Sequence, residues 1–505
     1  GTCLAIWRLR ISRLYPAVYL SCIVFFGCSV LGSFLLAQEI PFNGDEVIWD
    51  KYQLVYLCGQ FLLLLLPFFF AATAIGMTLV TYSGKITTVY GFDLLGAGIG
   101  SLLVILLLFL LSPKNALICI SCVGLLASLI AVRELHINRR NSAVVAILLL
   151  LAVMTGIGLS ATLKISPYKG LMYALRVEGS RVIDQLSSPL GVLHVVENTH
   201  VPFRHVPGLS LTAERDPLPQ LAVFTNAENI SVITKNTSEP ERLSYLDQIT
   251  SALPYHFGGI DNVLLLGIGG GDGILQARYH GVQEVDGVEL NPQMVNLLTK
   301  RHAEYSGFGL EDAKNIHIQD IRGFMQASRK EYDIIQLSLI DQFGLSGSGF
   351  SSLRENYLYT VEALQEYLNH LSADGYLAIT RWIKIPPRDT LKIFATAVSA
   401  LNEMGVTEVQ RRLTLVRSWQ TSTLLIKKSD FTEAEIRKME AFCDERQFDV
   451  SYSFLTTKDK VNRFNILRQP LFFQGAEAMV SGKGGAFMSD YKFNIQPSTD
   501  NQPFF

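Results

Sequence analysis

The sequence predicts an N-terminal bundle of membrane-spanning α-helices, then a small β-rich lead-in, then an α/β domain built on a doubly wound parallel sheet. Three observations carry this expectation. Apolar residues are concentrated before residue 163 in stretches long enough to cross a bilayer. Between residues 166 and 250, short apolar runs are broken by Pro and Gly. From Asn262 to about Lys428, apolar strand-length runs alternate with helix-length segments.

Five apolar segments satisfy the length that a bilayer demands: 16–37, 55–79, 89–111, 116–132 and 143–163. A hydrophobic content of 49% agrees with a membrane portion. No cleavage pattern follows the first segment, so it does not read as a signal peptide. Gly96 and Gly100 form a G-x-x-x-G that suits close helix contact, and Asp93 nearby reads as an N-terminal cap or interfacial acid more readily than as an intramembrane cation contact. Arg8, Arg10, Arg13, Lys85, Arg133, Arg139 and Arg140 flank one membrane face, and Lys51 and Lys114 the other. Lys164, Lys169, Arg176 and Arg181 follow the fifth segment and nearly cancel the difference. The expected location is therefore a multi-pass membrane protein, with the soluble part placed in the cytoplasm because adenosyl donors are made there.

The net charge of −2 gives no nucleic-acid signal. Six of seven cysteines lie in the apolar half, which excludes a disulfide framework for the soluble half. Cys119 and Cys122 read as packing residues, and the nine histidines show no metal-ligand spacing, so no metal is expected. The lead-in reads as hairpins around 192–196 and 221–225. Strands are expected at 263–267, 284–290, 316–319, 333–338 and 376–380, and helices at 274–280, 292–304, 358–370 and 390–404. An acidic-basic helix over 433–445 and a tail to Phe505 carry no chemical signature.

Residues 263–291 hold the chemistry. A buried strand stops at Gly267, and Gly269, Gly270, Gly271 and Gly273 let the backbone turn and approach a ligand. Glu289 closes the next strand, where a carboxylate can accept from both hydroxyls of a ribose. Asp272 stands where a dinucleotide fold needs glycine, and a carboxylate there repels a pyrophosphate. The loop therefore favours a cationic nucleoside such as S-adenosylmethionine or its decarboxylated form. Asp320, after the third strand, is placed to accept from an adenine amino group or to cap the following helix.

Asp272 in GGGDG, Glu289 in VELNP, Asp320, and YDIIQLSLID (332–341) resemble the spermidine synthase family. Tyr245 in SYLDQITSALP resembles the segment preceding that family's glycine loop. YGFDLLGAGIG (90–100) and RENYLYTVEALQEYLNHLSADGYLAITRW (354–382) resemble its membrane-fused spermidine synthase-like members. The resemblance implies a Rossmann-like, class I methyltransferase-type sheet and polyamine biosynthesis. It implies that Asp272, Glu289 and Asp320 hold decarboxylated S-adenosylmethionine, while Tyr245 and Asp341 face the polyamine. It also implies further helices beyond one or both ends, so that the chain reads as a fragment.

The sequence departs from the family at one chemical position. The first acid of the family's pair after the fourth strand is here Ser338, which cannot act as a base near neutral pH. Asp341, Asp247 and Tyr245 are the remaining candidates for supplying a neutral amine. The segment 343–350 reads as a mobile cover or an ordinary connector; Tyr357, Tyr359, Arg381 and Trp382 resemble acceptor-side positions, with Arg381 hinting at an anionic acceptor. Three functions stay open: an aminopropyltransferase acting on an amine such as putrescine, a methyltransferase-like enzyme, and a silent nucleoside- or polyamine-sensing domain regulating the membrane helices. The expected partners are a small-molecule amine or other acceptor and the lipid bilayer; a homo-oligomer is compatible with the sequence.

Overall fold

The computed structural model describes residues 8–47, 49–135, 144–148, 164–339 and 355–505. The chain divides into two compact units, residues 1–173 with 185–192, and residues 174–184 with 193–505.

The first unit contains four helices long and apolar enough to cross a membrane: α1 (Arg8–Ala37), α2 (Tyr52–Thr81), α3 (Ile86–Leu110) and α4 (Pro113–Glu134). The fifth expected segment lies almost wholly outside the described residues. The fourth is longer than its apolar stretch suggested, because Ser112 caps it and Pro113 opens it, with the Ser112 side chain accepting from Asn115 N.

Close helix contact occurs elsewhere than at the expected glycine pair. A Cβ on Gly27 would meet Leu125, and one on Gly124 would meet Phe26 and the Gly27 backbone. The Ser121 hydroxyl donates to Gly27 O at 2.5 Å, so α1 and α4 cross on small residues. Gly96, Gly98 and Gly100 have nothing within 4 Å. Asp93 caps nothing either: α3 starts seven residues earlier, so this acid lies two turns inside the helix.

The second unit contains the larger of two sheets and, apart from residues 185–192, the smaller one. β1 (Ser180–Ser188), β2 (Gly191–Asn198), β3 (Gln220–Thr225) and β4 (Asn229–Thr234) form a four-stranded sheet in sequential order. The larger sheet has the order β12-β10-β11-β9-β8-β5-β6-β7. Its parallel part comprises β5 (Asn262–Leu266), β6 (Glu284–Glu289), β7 (Ile316–Ile318), β8 (Tyr332–Ser338) and β9 (Leu371–Trp382). The chain leaves β5 toward β6 and β7, then returns to build β8 and β9 on the other side. This puts the topological switch point between β5 and β8, where an α/β sheet opens a crevice for ligands.

The sheet is mixed rather than purely parallel. β10 (Leu413–Arg417) and β11 (Thr421–Lys427) form a hairpin whose second strand inserts antiparallel against β9, and β12 (Asp449–Tyr452) closes the edge. A two-sided burial pattern made these strands hard to separate from helix interior in the sequence, because all seven residues of β11 are buried. The helices that bear on the site are α5 (Asp272–Tyr279), α6 (Pro292–Asn296), α7 (Ile321–Ala327), α8 (Val361–Asn369), α9 (Asp389–Glu403) and α10 (Glu433–Arg446). A large core runs through this unit, with Leu266, Leu337, Tyr367, Leu377, Phe394 and Leu424 buried, and a separate small cluster holds Leu218, Tyr245 and Leu246.

The glycine loop is pressed onto the smaller sheet. A Cβ on Gly270 would lie 1.7 Å from Val232 O of β4, a clash with backbone that no rotamer relieves. Gly270→Ala is therefore expected to cost at least about 1–3 kcal/mol, read as a lowered denaturation midpoint. The same change at Gly96, which meets nothing, gives no loss.

Candidate functional site

The loop Gly267–Asp272 leaves β5 at the switch point. Gly267, Gly269 and Gly271 have φ of 83°, 50° and 95°, a backbone that favours glycine. Gly271 ends the loop as the N-cap of α5 and Asp272 is the first helical residue. Its carboxylate turns toward the smaller sheet, where Oδ1 accepts from the Thr234 hydroxyl at 2.8 Å. Burial pushes the Asp272 pKa up to about 6, against the opposing effect of that hydrogen bond.

Glu289 ends β6 and closes over the loop. Its Oε2 accepts from Gly269 N at 3.2 Å and its Oε1 from Asn291 N at 2.9 Å. Burial raises its pKa while backbone N–H groups of Asn291, Gly269, Leu290 and Ile268 pull the other way. The remaining lone pairs are available to ribose hydroxyls. Asp320 follows β7 and caps α7, one oxygen accepting from Gly323 N at 3.0 Å. The capping role is thus observed, and the residue is exposed. Strand register brings these groups to one edge: Leu266 pairs with Val288, and Glu289 with Ile318.

None of Asp272, Glu289 and Asp320 has an ion-pair partner among the described residues. Three carboxylates on one sheet edge, two of them partly buried, form an uncompensated negative rim.

On the other side of the switch point, Ser338 ends β8 opposite Thr380 of β9. It belongs to a buried amide relay. Gln276 of α5 donates its Nε2 to Leu246 O at 2.7 Å, which leaves Gln276 Oε1 facing inward as an acceptor. That oxygen accepts from Ser251 Oγ at 3.2 Å and from Gln336 Nε2 at 3.1 Å. Gln336 Oε1 in turn accepts from the Tyr255 hydroxyl at 2.8 Å, and its Nε2 also donates to Ser338 Oγ at 2.9 Å. A backbone carbonyl can only accept, so the whole chain of orientations is determined from Leu246. Ser338 ends it as an acceptor from protein, with its own proton left for another partner. The hydroxyl proton of Ser338 is the one group of this relay that no partner on it takes.

The other base candidates are placed as follows. Tyr245, 1% exposed, has a buried hydroxyl with no hydrogen-bond partner among the described residues. Burial and the nearby Asp272 charge raise its pKa well above the usual phenol value, so it stays protonated at neutral pH. Asp247 is committed elsewhere: Oδ1 accepts from His256 Nε2 at 2.6 Å, and Oδ2 from Arg446 Nη2 at 2.5 Å. Burial alone would raise its pKa, but His256 and Arg446 together hold it below the ordinary value. Asp341 and the segment 343–350 lie outside the described residues.

Arg381 is buried, with its guanidinium 4.5 Å from the Tyr359 ring centroid and 4.2 Å from that of Phe505, and 3.7 Å from Asp389 Oδ2. These contacts give its charge a structural reason. Tyr357 is exposed and donates to Glu355 at 3.1 Å. Trp382 ends β9 with its ring centroid 6.4 Å from that of His205.

Several of these residues had no sequence signal as site elements: Thr234, Tyr255, Gln276 and the C-terminal residues. Val361 N donates to Ser498 O, and Asp500 accepts from Thr360 and Arg322, which ties the tail to the start of α8. For Gln336 a signal existed that was not used: an amide inside the apolar run DIIQLS needs buried partners.

No family model matches the chain. Over 121 residues it is 30% identical to a polyamine aminopropyltransferase of Korarchaeum cryptofilum, a match covering 24% of this chain and 35% of that protein. The chain thus spans about a third of the curated relative it matches. Its homology to polyamine aminopropyltransferase is carried by that segment. Among solved structures it is similar to spermidine synthase from Thermotoga maritima, at 13% identity and a TM-score of 0.35, over 60% of this chain and 87% of that one. It is also similar to human methyltransferase-like protein 13 bound to SAH, at 15% identity and a TM-score of 0.26, over 43% and 95%.

Replacing Gln336 by Leu strands the Tyr255 hydroxyl without its acceptor inside the core. The expected loss is about 1–3 kcal/mol in chemical denaturation. Gln276→Leu is expected to cost a similar amount, and the two together less than their sum, since they break one shared bond.

Proposed function

We propose that the second unit binds a cationic adenosyl sulfonium and transfers its aminopropyl group to an amine such as putrescine, while the apolar helices anchor it in a bilayer. The observation that carries this reading is the uncompensated rim of Asp272, Glu289 and Asp320 beside the glycine loop. Carboxylates without a protein cation suit a ligand that brings its own positive charge.

In the reaction, the acceptor nitrogen forms a bond to the carbon next to sulfur. The carbon–sulfur bond breaks with its electron pair on sulfur, a neutral thioether leaves, and the new ammonium sheds its proton. The leaving group is already activated, so the protein's work is to hold a neutral amine in line. Ser338 cannot take that proton. Asp341, which matches an acceptor-side position of the resemblance, is the carboxylate proposed to take it. Homology to a polyamine aminopropyltransferase supports the assignment over the shared segment.

The hydroxyl at Ser338 favours a second reading, a methyltransferase-like enzyme using S-adenosylmethionine itself. A donated hydrogen bond suits a carboxylate better than an ammonium.

Calorimetry on the full chain in detergent, with both sulfonium donors, separates the readings. Tighter binding of the decarboxylated donor, with an aminopropylated product from putrescine by mass analysis, is the expected result. Tighter binding of the carboxylated donor rejects it. Binding without turnover on any amine leaves a nucleoside-sensing domain. Ser338→Asp is expected to raise aminopropyl transfer.

The raised pKa of Asp272 adds a pH signature. An acid whose folded pKa lies above its unfolded value makes the empty protein less stable as pH climbs from about 4 to about 6. A cationic donor reverses this. Affinity is therefore expected to be flat above pH 7 and to fall below pH 6 by up to about tenfold per pH unit. Asp272→Asn is expected to lower affinity at pH 7.5 and to abolish that part of the slope.

A further inference from the structure

The geometry points to a divalent-metal site, with zinc the best match, formed by Asp247, His256 and His280 at the end of α5 remote from the donor loop. Asp247 closes the 3₁₀ segment Pro240–Asp247, His256 lies in the 3₁₀ segment Thr250–Phe257, and His280 follows α5 directly. Their ligand atoms, one from each residue, lie within 4.8 Å of one another. Two imidazole nitrogens and a carboxylate oxygen form a donor set that suits zinc, with a fourth position left for water.

Four features suggest a built site. His280 Nε2 is buried and has no hydrogen-bond partner, although it sits 3.3 Å from Asp247 Oδ1. That spacing is about what two ligands of one tetrahedral zinc ion require. His256 Nε2 is closer to the same oxygen, at 2.6 Å, because a proton now bridges them. Metal entry displaces that proton and opens the pair by about 0.7 Å.

The other carboxylate oxygen is held away from the cluster. Arg446 Nη2 takes Asp247 Oδ2 at 2.5 Å, and Arg446 Nε takes Asp247 O at 2.8 Å. Oδ1 is therefore presented by a rigid outer contact of the kind that orients metal ligands. The guanidinium does not leave the site positive, because Glu445 also pairs with Arg446 at 3.0 Å. The imidazoles are fixed by rings: His280 stacks on Tyr255 at 4.8 Å and 8°, and His256 meets Phe442 at 4.8 Å.

The ion would act in positioning rather than catalysis. Asp272 begins α5 and His280 follows its other end, about 12 Å away along the helix. Tyr245 lies two residues before Asp247. One metal would thus tie the segment bearing Tyr245 to the helix that opens at Asp272, and α10 to both through Arg446. The ligands come from three separate segments spread over 34 positions, so no compact spacing motif announces them.

The test uses untagged full-length protein in detergent, stripped with chelator and titrated with zinc alone or cobalt alone. The expected result is about one zinc per chain by elemental analysis, visible absorption from four-coordinate cobalt, and a melting temperature that rises until one equivalent is bound. His280→Gln and His256→Gln are expected to abolish all three, while His317→Gln keeps them. If His280→Gln misfolds, His256→Gln at the more exposed ring carries the decision. Less than a tenth of an equivalent of zinc in the wild-type chain, or uptake unchanged in His256→Gln, would overturn the site.

Discussion

The close approach of the glycine loop to the smaller sheet is the constraint on which the site depends. Gly270 touches the Val232 carbonyl with no room for a side chain, and Thr234 two residues later reaches Asp272. The smaller sheet therefore forms one wall of the loop, and the same contact decides which way the acid of the loop faces. Without it, Asp272 would be an ordinary exposed residue in the first turn of a helix. Against β4 it becomes a partly buried carboxylate with its pKa near neutrality.

From that wall the electrostatics follow. Glu289 is held by loop N–H groups, Asp320 by the first turn of α7, and neither contact supplies a neutralising charge. Hydrogen bonds to backbone keep a carboxylate ionised without a counterion, which leaves its charge available to a ligand. Arg381 is engaged by Asp389 and two aromatic rings, Arg446 by Asp247, and Arg417 by buried Asp449. The division between paired and unpaired acids marks the edge where a cation is expected.

The amide relay adds a second kind of control. Gln276, Gln336 and Tyr255 lie between the loop helix and β8, and they transmit one orientation from Leu246 O to Ser338. Its amide members are satisfied, which stiffens the relay and leaves the hydroxyl proton at the end of β8 to be donated. The polar arrangement is thus built around the serine at the end of β8.

Much of this was legible in the sequence. Apolar length identified the four helices long and apolar enough to cross a membrane, and the alternation of strand and helix through 262–404 identified the wound sheet; apolar surroundings dictate composition strongly in both cases. Gly267, Gly269 and Gly271 were readable because only glycine tolerates their backbone, and Glu289 because strand ends in this topology share an edge. The two-faced hairpin of β10 and β11 was not, since full burial erases period. Nor was the helix crossing at Gly27 and Gly124, which depends on which helices meet, whereas Gly96 and Gly100 carry the motif and touch nothing. The sequence by itself determined the apolar helices, the parallel strands and the acids near the glycine loop, because those follow from local pattern and spacing. Only the tertiary structure decided where Asp272 points, what Ser338 can donate, and that Asp247 and His256 converge on His280, because each of these rests on contacts between segments far apart in the chain.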